Sequence, residues 1–233
     1  LVDGWGELAA RYGHRYWGIG GYRDNYPQVI TSKYPITYIS KIVGDESDVI
    51  VSHGAGWATI EVNGKTVNIV TLHTWPQAYA YKAEDRNASR AENGGDKYRA
   101  REIKYICENT IGTVENASEQ LWMMMGDFNS RSRVDNAQYG YADDDTKLLV
   151  HDYVIANTPY IDVIKEKYPD QFIPSVGAKN SRIDFVYCTK PLYDRVTHAE
   201  IIWDGYTTPV RDTLSNFWRP SDHLPILVDF DMR

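Results

Sequence analysis

A carboxylate and a carboxamide directly follow a fully apolar segment of the chain. Residues 121–125, LWMMM, run into Gly126, Asp127, Phe128 and Asn129. Side chains two residues apart in an extended chain point the same way, so Asp127 and Asn129 are expected to share one face while Phe128 points into the core. Gly126 would let the chain turn as it leaves the sheet. Since Asp and Asn are also ordinary turn formers, this stretch by itself allows both a functional site and a simple turn.

Other residues that can do chemistry also lie at predicted strand ends. His73 ends TVNIVTLH, Asp184 lies in the mostly apolar segment RIDFVY, and Asp222 with His223 opens the last predicted strand. An acid in an apolar strand is costly unless it is paired or hydrogen-bonded. Each residue has a structural explanation alone: a core histidine, a buried acid, or a turn. Their recurrence at several strand ends favours one shared site.

These motifs, taken together, resemble those of a known family. GDFN at 126–129, RID at 182–184, SDH at 221–223 and the strand-ending His73 are similar in order and spacing to the endonuclease/exonuclease/phosphatase superfamily. That group contains deoxyribonuclease I, abasic-site endonucleases, neutral sphingomyelinases and inositol polyphosphate 5-phosphatases. TSKYPI at 31–36 resembles a further family segment, and the resemblance extends over nearly the whole chain. GDFN with a distant SDH is a specific pair, whereas either motif alone is weak.

The resemblance implies a fold and a set of catalytic roles. The fold is α/β, with mixed α+β character: a four-layer sandwich of two mixed β-sheets packed face to face and flanked by helices. His223 would be the general base that takes a proton from the attacking water, and Asp184 would orient its imidazole. Asp127 and Asn129 would position the water and the phosphoryl oxygens. His73 would donate a hydrogen bond to the phosphate or act as an acid.

The resemblance also implies a divalent cation. Asp222, together with Asp127, would hold Mg²⁺, with Mn²⁺ as an alternative, through hard oxygen ligands. The cation would offset the charge that builds in the transition state. The sequence departs from the family at its main metal ligand, the Glu of a Gln-Glu pair that lies upstream of the helix matching residues 1–12, because no such pair is found in the sequence. We expect 1–233 to form a single domain of this family that is N-terminally incomplete and binds metal weakly by itself; the alternative is a degenerate member that lacks this Glu.

Hydrophobic periodicity and turn residues predict the elements that position these side chains. Helices are predicted at 1–12, 96–111, 146–156 and 161–168, and strands at 16–19, 28–32, 36–43, 57–62, 66–73, 121–125, 182–188, 196–203 and 224–230. Asn63-Gly64 between two β-rich runs predicts a hairpin. The absence of a repeated βαβ period favours mixed sheets covered by helices. Cys107 and Cys188 are interpreted as buried thiols, because two cysteines form no disulfide framework.

Composition bears mainly on the substrate. Lys plus Arg number 25 and Asp plus Glu 32, which gives a formal net charge of −7 and argues against a protein that grips long duplex DNA. Arg131 with Arg133, and Arg99 with Arg101, are short cationic pairs that could clamp one phosphorylated small molecule. Arg131 and Trp75 are therefore the predicted substrate contacts, and a small-molecule or lipid-headgroup phosphate is favoured over nucleic acid.

Two other functions stay open on the sequence. One is a nuclease that acts on DNA or RNA. The other is a noncatalytic binding module on the same fold, rich in aromatics because the chain has 7 Trp and 18 Tyr. An enzyme requires His223 and Asp184 in contact with Asp127 facing them, and a binding module does not. No apolar run is long enough to span a bilayer, a monomer is expected, and the composition favours an exported bacterial protein.

Overall fold

The computed structural model describes residues 4–20, 28–45, 49–76, 95–203 and 221–233. Within these ranges the strands are β1 (Tyr16–Ile19), β2 (Val29–Ser32), β3 (Ile36–Asp45), β4 (Val49–Val62), β5 (Lys65–His73), β6 (Leu121–Asp127), β7 (Tyr160–Asp162), β8 (Asp184–Thr189), β9 (Val196–Ile201) and β10 (Ile226–Phe230). The helices are α1 (Trp5–Arg11), α2 (Asp96–Glu108), α3 (Asn136–Tyr139), α4 (Leu149–Asn157), α5 (Val163–Lys167) and α6 (Lys190–Tyr193).

A six-stranded mixed sheet forms the centre of the molecule. Its strand order is β3-β4-β5-β6-β8-β7, with β5 and β6 parallel and the other neighbours antiparallel. The predicted hairpin joins β4 to β5, and both of its turn residues, Asn63 (φ 51°) and Gly64 (φ 74°), have the positive φ of a type I′ turn. This turn sets the register that places His73 at the far end of β5.

Each face of the six-stranded sheet is covered by a different layer. Apolar side chains of α2 and α4 pack on one face against β5 and β6, and they include Ile103, Ile106, Val150, Val154, Leu72, Trp122 and Met124. The other face packs against a second sheet layer, which in the described residues consists of the antiparallel pairs β1-β2 and β9-β10. Helix α1 lies against β1 and β2. The result is the expected four-layer α/β sandwich, with the second sheet described only as antiparallel pairs.

Register brings three of the predicted site residues to one end of the sheet. His73 is the partner of Asp127 across β5 and β6, and Asp127 is the partner of Asp184 across β6 and β8. Gly126 permits the close approach of β6 to β5 at this point. Its φ is 147°, and a Cβ on it would lie 1.9 Å from the Leu72 carbonyl oxygen. The glycine is needed for contact between strands as well as for the turn.

Several predicted boundaries differ from the structure for identifiable reasons. The helix predicted at 161–168 is wrong in its first turn, because Tyr160–Asp162 pairs with β8 as an edge strand and the Asp162 side chain then caps α5 by accepting from Lys165 N. Strand β4 begins at Val49 rather than 57. The glycines of residues 49–56 interrupt the strand pattern in the sequence, so the first part of β4 was not predicted. Gly56 is needed because the β1-β2 layer comes close, and a Cβ on Gly56 would lie 2.6 Å from Gly20 Cα.

A buried histidine that the sequence analysis did not single out joins α4 to the loop after β6. His151 on α4 is fully buried, with its Nδ1 2.8 Å from Tyr187 Oη and its Nε2 3.2 Å from the Ser130 carbonyl oxygen. A carbonyl oxygen only accepts, so Nε2 carries the hydrogen and Nδ1 accepts from Tyr187. Burial lowers the pKa of His151 to about 3. This histidine is therefore a neutral structural group.

Replacing Gly126 by Ala should lower the free energy of unfolding by roughly 2–4 kcal/mol, because the new Cβ meets the Leu72 backbone and strains φ. Gly64→Ala is the matched control, since φ is also positive there but nothing lies within 4 Å of the added Cβ. It should lose roughly 1–2 kcal/mol. Urea denaturation measures both, and equal losses would show that the Leu72 contact does not matter.

The buried His151 predicts an acid-dependent loss of stability. The unfolded chain binds a proton at this residue near pH 6.5, and the folded chain does so only near pH 3. Stability therefore falls as pH drops below 6.5, by about 1.4 kcal/mol per pH unit. The stability advantage of the unsubstituted chain over His151→Gln should shrink by about 2 kcal/mol between pH 7 and pH 5. A pH-independent difference in urea denaturation would contradict this assignment.

Candidate active site

A histidine and a carboxylate form a hydrogen-bonded pair at the end of the sheet. His223 Nδ1 lies 2.9 Å from Asp184 Oδ2 and 3.1 Å from Oδ1. Asp184 is the first residue of β8. Ser175 fixes its carboxylate by donating from Oγ to Oδ2 at 2.7 Å, and the same Oγ accepts from the backbone nitrogens of Ile183 and Asp184 at 3.0 Å each. The orientation of the imidazole is thus tied to the strand through one buried serine.

Asp127 and Asn129 share a face, as predicted, but through a turn rather than an extended chain. Asn129 has a left-handed backbone with φ 45°, which Asn tolerates better than most residues. Its backbone nitrogen donates to Asp127 Oδ1 at 2.7 Å, and its Nδ2 donates to Asp127 Oδ2 at 3.2 Å and to the Thr74 carbonyl oxygen at 3.1 Å. Phe128 is fully buried between them, which confirms that prediction.

Asp127 lies at the centre of the site. His73 Nε2 is 3.5 Å from Asp127 Oδ2. Ligand atoms of Asp127, Asp184 and His223 all lie within 4.8 Å of one another. The structure therefore brings together His73, Asp127, Asn129, Asp184 and His223, the five residues predicted to be catalytic.

The electrostatics of this group show an excess of negative charge. Burial, followed by the neighbouring charge of Asp184, raises the pKa of Asp127 to about 7, although the Asn129 N–H and His223 oppose the rise. The hydrogen bond to Asp184 raises the pKa of His223 to about 9, and the charges of Asp184, Asp127 and Asp222 act in the same direction while burial opposes them. Burial and a second carboxylate nearby both disfavour the charged form of Asp127, which is why its pKa is raised.

The donor set fits a hard divalent cation. Carboxylate oxygens of Asp127 and Asp184 converge, and Asn129 Oδ1 is the acceptor atom of an amide whose nitrogen already donates twice. Oxygen ligands of this kind are those that Mg²⁺ binds. His223 Nδ1 is engaged with Asp184, so Nε2 is the nitrogen that His223 offers to the rest of the group.

Asp222, the other predicted metal ligand, is placed differently. Its side chain is exposed, and it is not one of the three residues whose ligand atoms converge. Its charge nevertheless reaches the site, since it contributes to the raised pKa of His223. A metal role for Asp222 stays a prediction.

The arginines predicted to clamp a phosphate are engaged elsewhere. Arg133 is exposed and forms ion pairs with Asp152 at 2.8 Å and Asp143 at 3.4 Å. Arg99 is buried on α2, where it bonds Asp96 at 2.5 Å. The guanidinium of Arg131 lies over the Tyr139 ring, 5.6 Å from its centroid. Arg99 and Arg133 are thus held by acids of the chain itself, and a substrate contact of Arg131 stays a prediction.

Aromatic rings border the site beside His73. The rings of His53 and His73 are 4.3 Å apart, and the partly exposed Trp75 indole lies nearly parallel to the His53 ring, at 17° and 6.3 Å between centroids. Trp75 was predicted to contact substrate, whereas His53 was missed. Tyr79 and Tyr81 lie outside the described residues. On the other side of Asp127 and Asp184, a cleft of about 300 Å³ opens between the sheets.

Sequence reasoning missed Ser175, His53 and Glu102. Glu102 is fully buried on α2, and burial raises its pKa to about 7 against the hydrogen bonds that it accepts from Ser52 and Trp75. One signal was present: Asp96, Arg99 and Glu102 recur every third residue, so they lie along one side of a helix. Ser175 and His53 carried no signal, because their contacts depend on distant parts of the chain.

Replacing Asp184 by Asn should lower the pKa of His223 from about 9 toward the ordinary histidine value of about 6.5, because the charged partner is removed. NMR titration of the histidine ring protons, with His223→Ala to assign the signal, measures the change. Asp222→Asn is the matched control and should lower the pKa less, because Asp222 is exposed and makes the smaller contribution. Equal effects of the two substitutions would contradict the dyad.

Comparisons with known proteins agree on the fold. No protein-family model and no curated protein matches the chain, but solved structures do. An AP endonuclease from Archaeoglobus fulgidus is similar with a TM-score of 0.64 and 17% identity, over 96% of this chain and 81% of that one. The human Nocturnin catalytic domain with bound sulfate has a TM-score of 0.63 and 15% identity, over 99% of this chain and 76% of that one. A Neisseria 3′ phosphatase, NExo, bound to a product DNA hairpin has a TM-score of 0.60 and 14% identity, over 97% of this chain and 82% of that one.

No helix in the described part of the chain is long and apolar enough to cross a membrane.

The structures that match belong to the superfamily that GDFN, RID and SDH indicated, and the match extends over nearly the whole chain. The chain therefore has the fold of the endonuclease/exonuclease/phosphatase superfamily.

Proposed function

We propose that the chain is a metal-dependent phosphoesterase, which hydrolyses a phosphodiester or phosphomonoester by attack of a water that His223 activates. The observation that carries this proposal is the contact of His223 Nδ1 with Asp184 at 2.9 Å, with Asp127 within 4.8 Å of both. A binding module on the same fold requires no such alignment. The proposal is therefore of an enzyme.

The hydrogen bonds assign a role to each nitrogen of the imidazole. The Asp184 carboxylate accepts from His223 Nδ1, so Nε2 is the nitrogen that accepts a proton from water. Ser175 keeps the carboxylate in place, and a fixed carboxylate stabilises the imidazolium that forms after proton transfer. Asn129 Oδ1 can accept from the same water and orient it, while His73 Nε2 faces the position of a phosphoryl oxygen beside Asp127.

The two acids explain why the proposed reaction depends on a cation. A divalent cation held by Asp127 and Asp184, with Asp222 as the further predicted ligand, would supply the positive charge that offsets the charge developing on the phosphoryl oxygens. With a pKa of about 9, His223 keeps its proton at neutral pH. Positive charge beside the carboxylates lowers that pKa. His223 then becomes neutral, as a general base must be.

The charges around the site favour a small substrate. Arg133 and Arg99 are paired with acids of the chain itself, and the net charge is −7. Long nucleic acids are held through many phosphate contacts by free cations. A small-molecule or lipid-headgroup phosphate, held near Arg131 and Trp75, suits this surface better. A nuclease is the alternative, since the structures similar to this chain include an AP endonuclease and a phosphatase bound to DNA.

Turnover of an aryl phosphodiester and an aryl phosphomonoester tests the proposal. With millimolar Mg²⁺ the chain should release product, and chelator should abolish it. His223→Ala should lower kcat by about 10²–10⁴-fold, the usual contribution of a general base. His198→Ala is the matched control, because His198 is a half-exposed histidine on β9 paired only with Glu200 in the described residues, and it should leave the rate unchanged.

The outcomes separate the alternatives. Product release that survives chelator or His223→Ala contradicts the proposed mechanism. Turnover of DNA or RNA that far exceeds that of the aryl esters, with binding that weakens steeply as salt is added, would identify a nuclease instead. Ligand binding that is unchanged in His223→Ala, with no turnover on any ester, would identify a binding module.

A further inference from the structure

Three buried side chains on α2 point toward the loop that follows His73. Asp96, Arg99 and Glu102 are 4%, 1% and 0% exposed, which is rare for charged residues unless they are paired or hydrogen-bonded. They lie one turn apart on the same side of the helix. The catalytic mechanism above uses none of them, so their burial requires another explanation.

Their contacts converge on the backbone of Trp75. Glu102 Oε2 accepts from Trp75 N at 2.9 Å, and Arg99 Nη1 donates to the Trp75 carbonyl oxygen at 3.0 Å. Arg99 is fixed in turn by Asp96. Both polar groups of one peptide residue are thus held by charged side chains of a helix. Such bonds are stronger and more directional than neutral ones.

The same glutamate holds the strand behind the indole. Glu102 Oε1 accepts from Ser52 N at 2.8 Å and from Ser52 Oγ at 2.6 Å. Ser52 precedes His53, whose ring packs between His73 and Trp75. Glu102 therefore fixes both partners of the His53–Trp75 stack, and through it the distance of the indole from the site.

The preceding residue is fixed to the opposite side of the site. Thr74 N donates to the Asp127 carbonyl oxygen at 3.1 Å, and Thr74 Oγ1 donates to the Phe128 carbonyl oxygen at 2.6 Å. The segment after His73 is thus bonded to the Asp127 turn at Thr74 and to α2 at Trp75. A partly exposed indole on a backbone held this firmly is a preorganised surface.

We propose that Arg99 and Glu102 are positioning residues that hold the Trp75 indole as a stacking surface for a ring in the non-phosphate part of the substrate. The proposal rests on the proposed function for the location of the phosphate, and it deepens that function by naming the substrate class: phosphoesters that carry a planar or sugar ring. The His53 ring joins the indole to His73, and His73 Nε2 is 3.5 Å from Asp127 Oδ2, so the indole borders the site on the His73 side. Aromatic faces bind such rings with modest but specific energy.

Binding of phenyl phosphate and methyl phosphate, measured by calorimetry in the presence of Mg²⁺, tests the stacking surface. Every chain in this series carries His223→Ala, so that the proposed reaction does not consume the ester, and the unsubstituted chain of the series carries no further change. The unsubstituted chain should bind phenyl phosphate about fivefold more tightly. Trp75→Ala should reduce this preference to about one, because the ring then has no indole to stack on. Trp17→Ala is the matched control, since Trp17 is an exposed tryptophan on β1, and it should keep the preference. Equal affinity for the two phosphates in the unsubstituted chain would overturn the proposal.

Two further variants test the positioning role. Glu102→Gln places an amide nitrogen against N–H donors, and Arg99→Lys keeps the charge beside Asp96 but loses the second arm that reaches Trp75. Each should lower the preference for phenyl phosphate at least twofold in a chain that still unfolds cooperatively. If Glu102→Gln does not fold, Arg99→Lys carries the same prediction, and a full preference in folded Arg99→Lys overturns the role.

A double variant distinguishes positioning from a general structural effect. If Glu102 acts through the indole, Trp75→Ala with Glu102→Gln should show the same phosphate preference as Trp75→Ala alone. A further loss of methyl phosphate affinity in the double variant would contradict the proposal. Failure of the proposed hydrolysis would be seen separately, as absent turnover in the chain that keeps His223, with the ring preference intact.

Discussion

The site depends on two carboxylates that the sheet forces together. Asp127 and Asp184 are directly paired across β6 and β8, and both sit where water reaches them only in part. Burial and then the neighbouring charge of Asp184 raise the pKa of Asp127, and the hydrogen bond to Asp184 raises the pKa of His223. The neighbouring groups stabilise this negative charge. The N–H groups of Asn129 donate to Asp127, the ring of His223 bonds to Asp184, and the oxygen ligands fit a cation.

Holding that pair in register requires close contact between backbones. Strand β6 approaches β5 at Gly126, where no side chain fits. The Asn129 turn, with its left-handed backbone, then carries the chain back over the strand end, and Thr74 bonds to it from β5. The active-site end of the sheet is thus stabilised by hydrogen bonds from side chains to the main chain and by two residues whose backbone conformations few others adopt.

A second group of buried polar residues connects the helices to this end of the sheet. His151 joins α4 to Ser130, Glu102 and Arg99 join α2 to Trp75, and Arg182 pairs with Asp135 and Asp162. Each is buried and hydrogen-bonded, and removing one partner of such a group costs more than the bond itself contributes. These contacts use charges that the composition alone would assign to a surface, since Arg99 and Arg182 are buried in ion pairs with acids of the chain itself.

The sequence by itself determined the strand that delivers Asp127, the hairpin that places His73 and the burial of Phe128. These follow from local patterns, namely an apolar run and an Asn-Gly turn, whereas the His223–Asp184 pair was indicated by the resemblance to the superfamily. Tertiary structure decided which arginines face inward, where β4 begins, and that Ser175, His53 and Glu102 belong to the site. Ser175 meets Asp184 nine residues away and Glu102 meets Ser52 fifty residues away. Such partners are set by strand register and helix packing, and no local pattern in the chain encodes them.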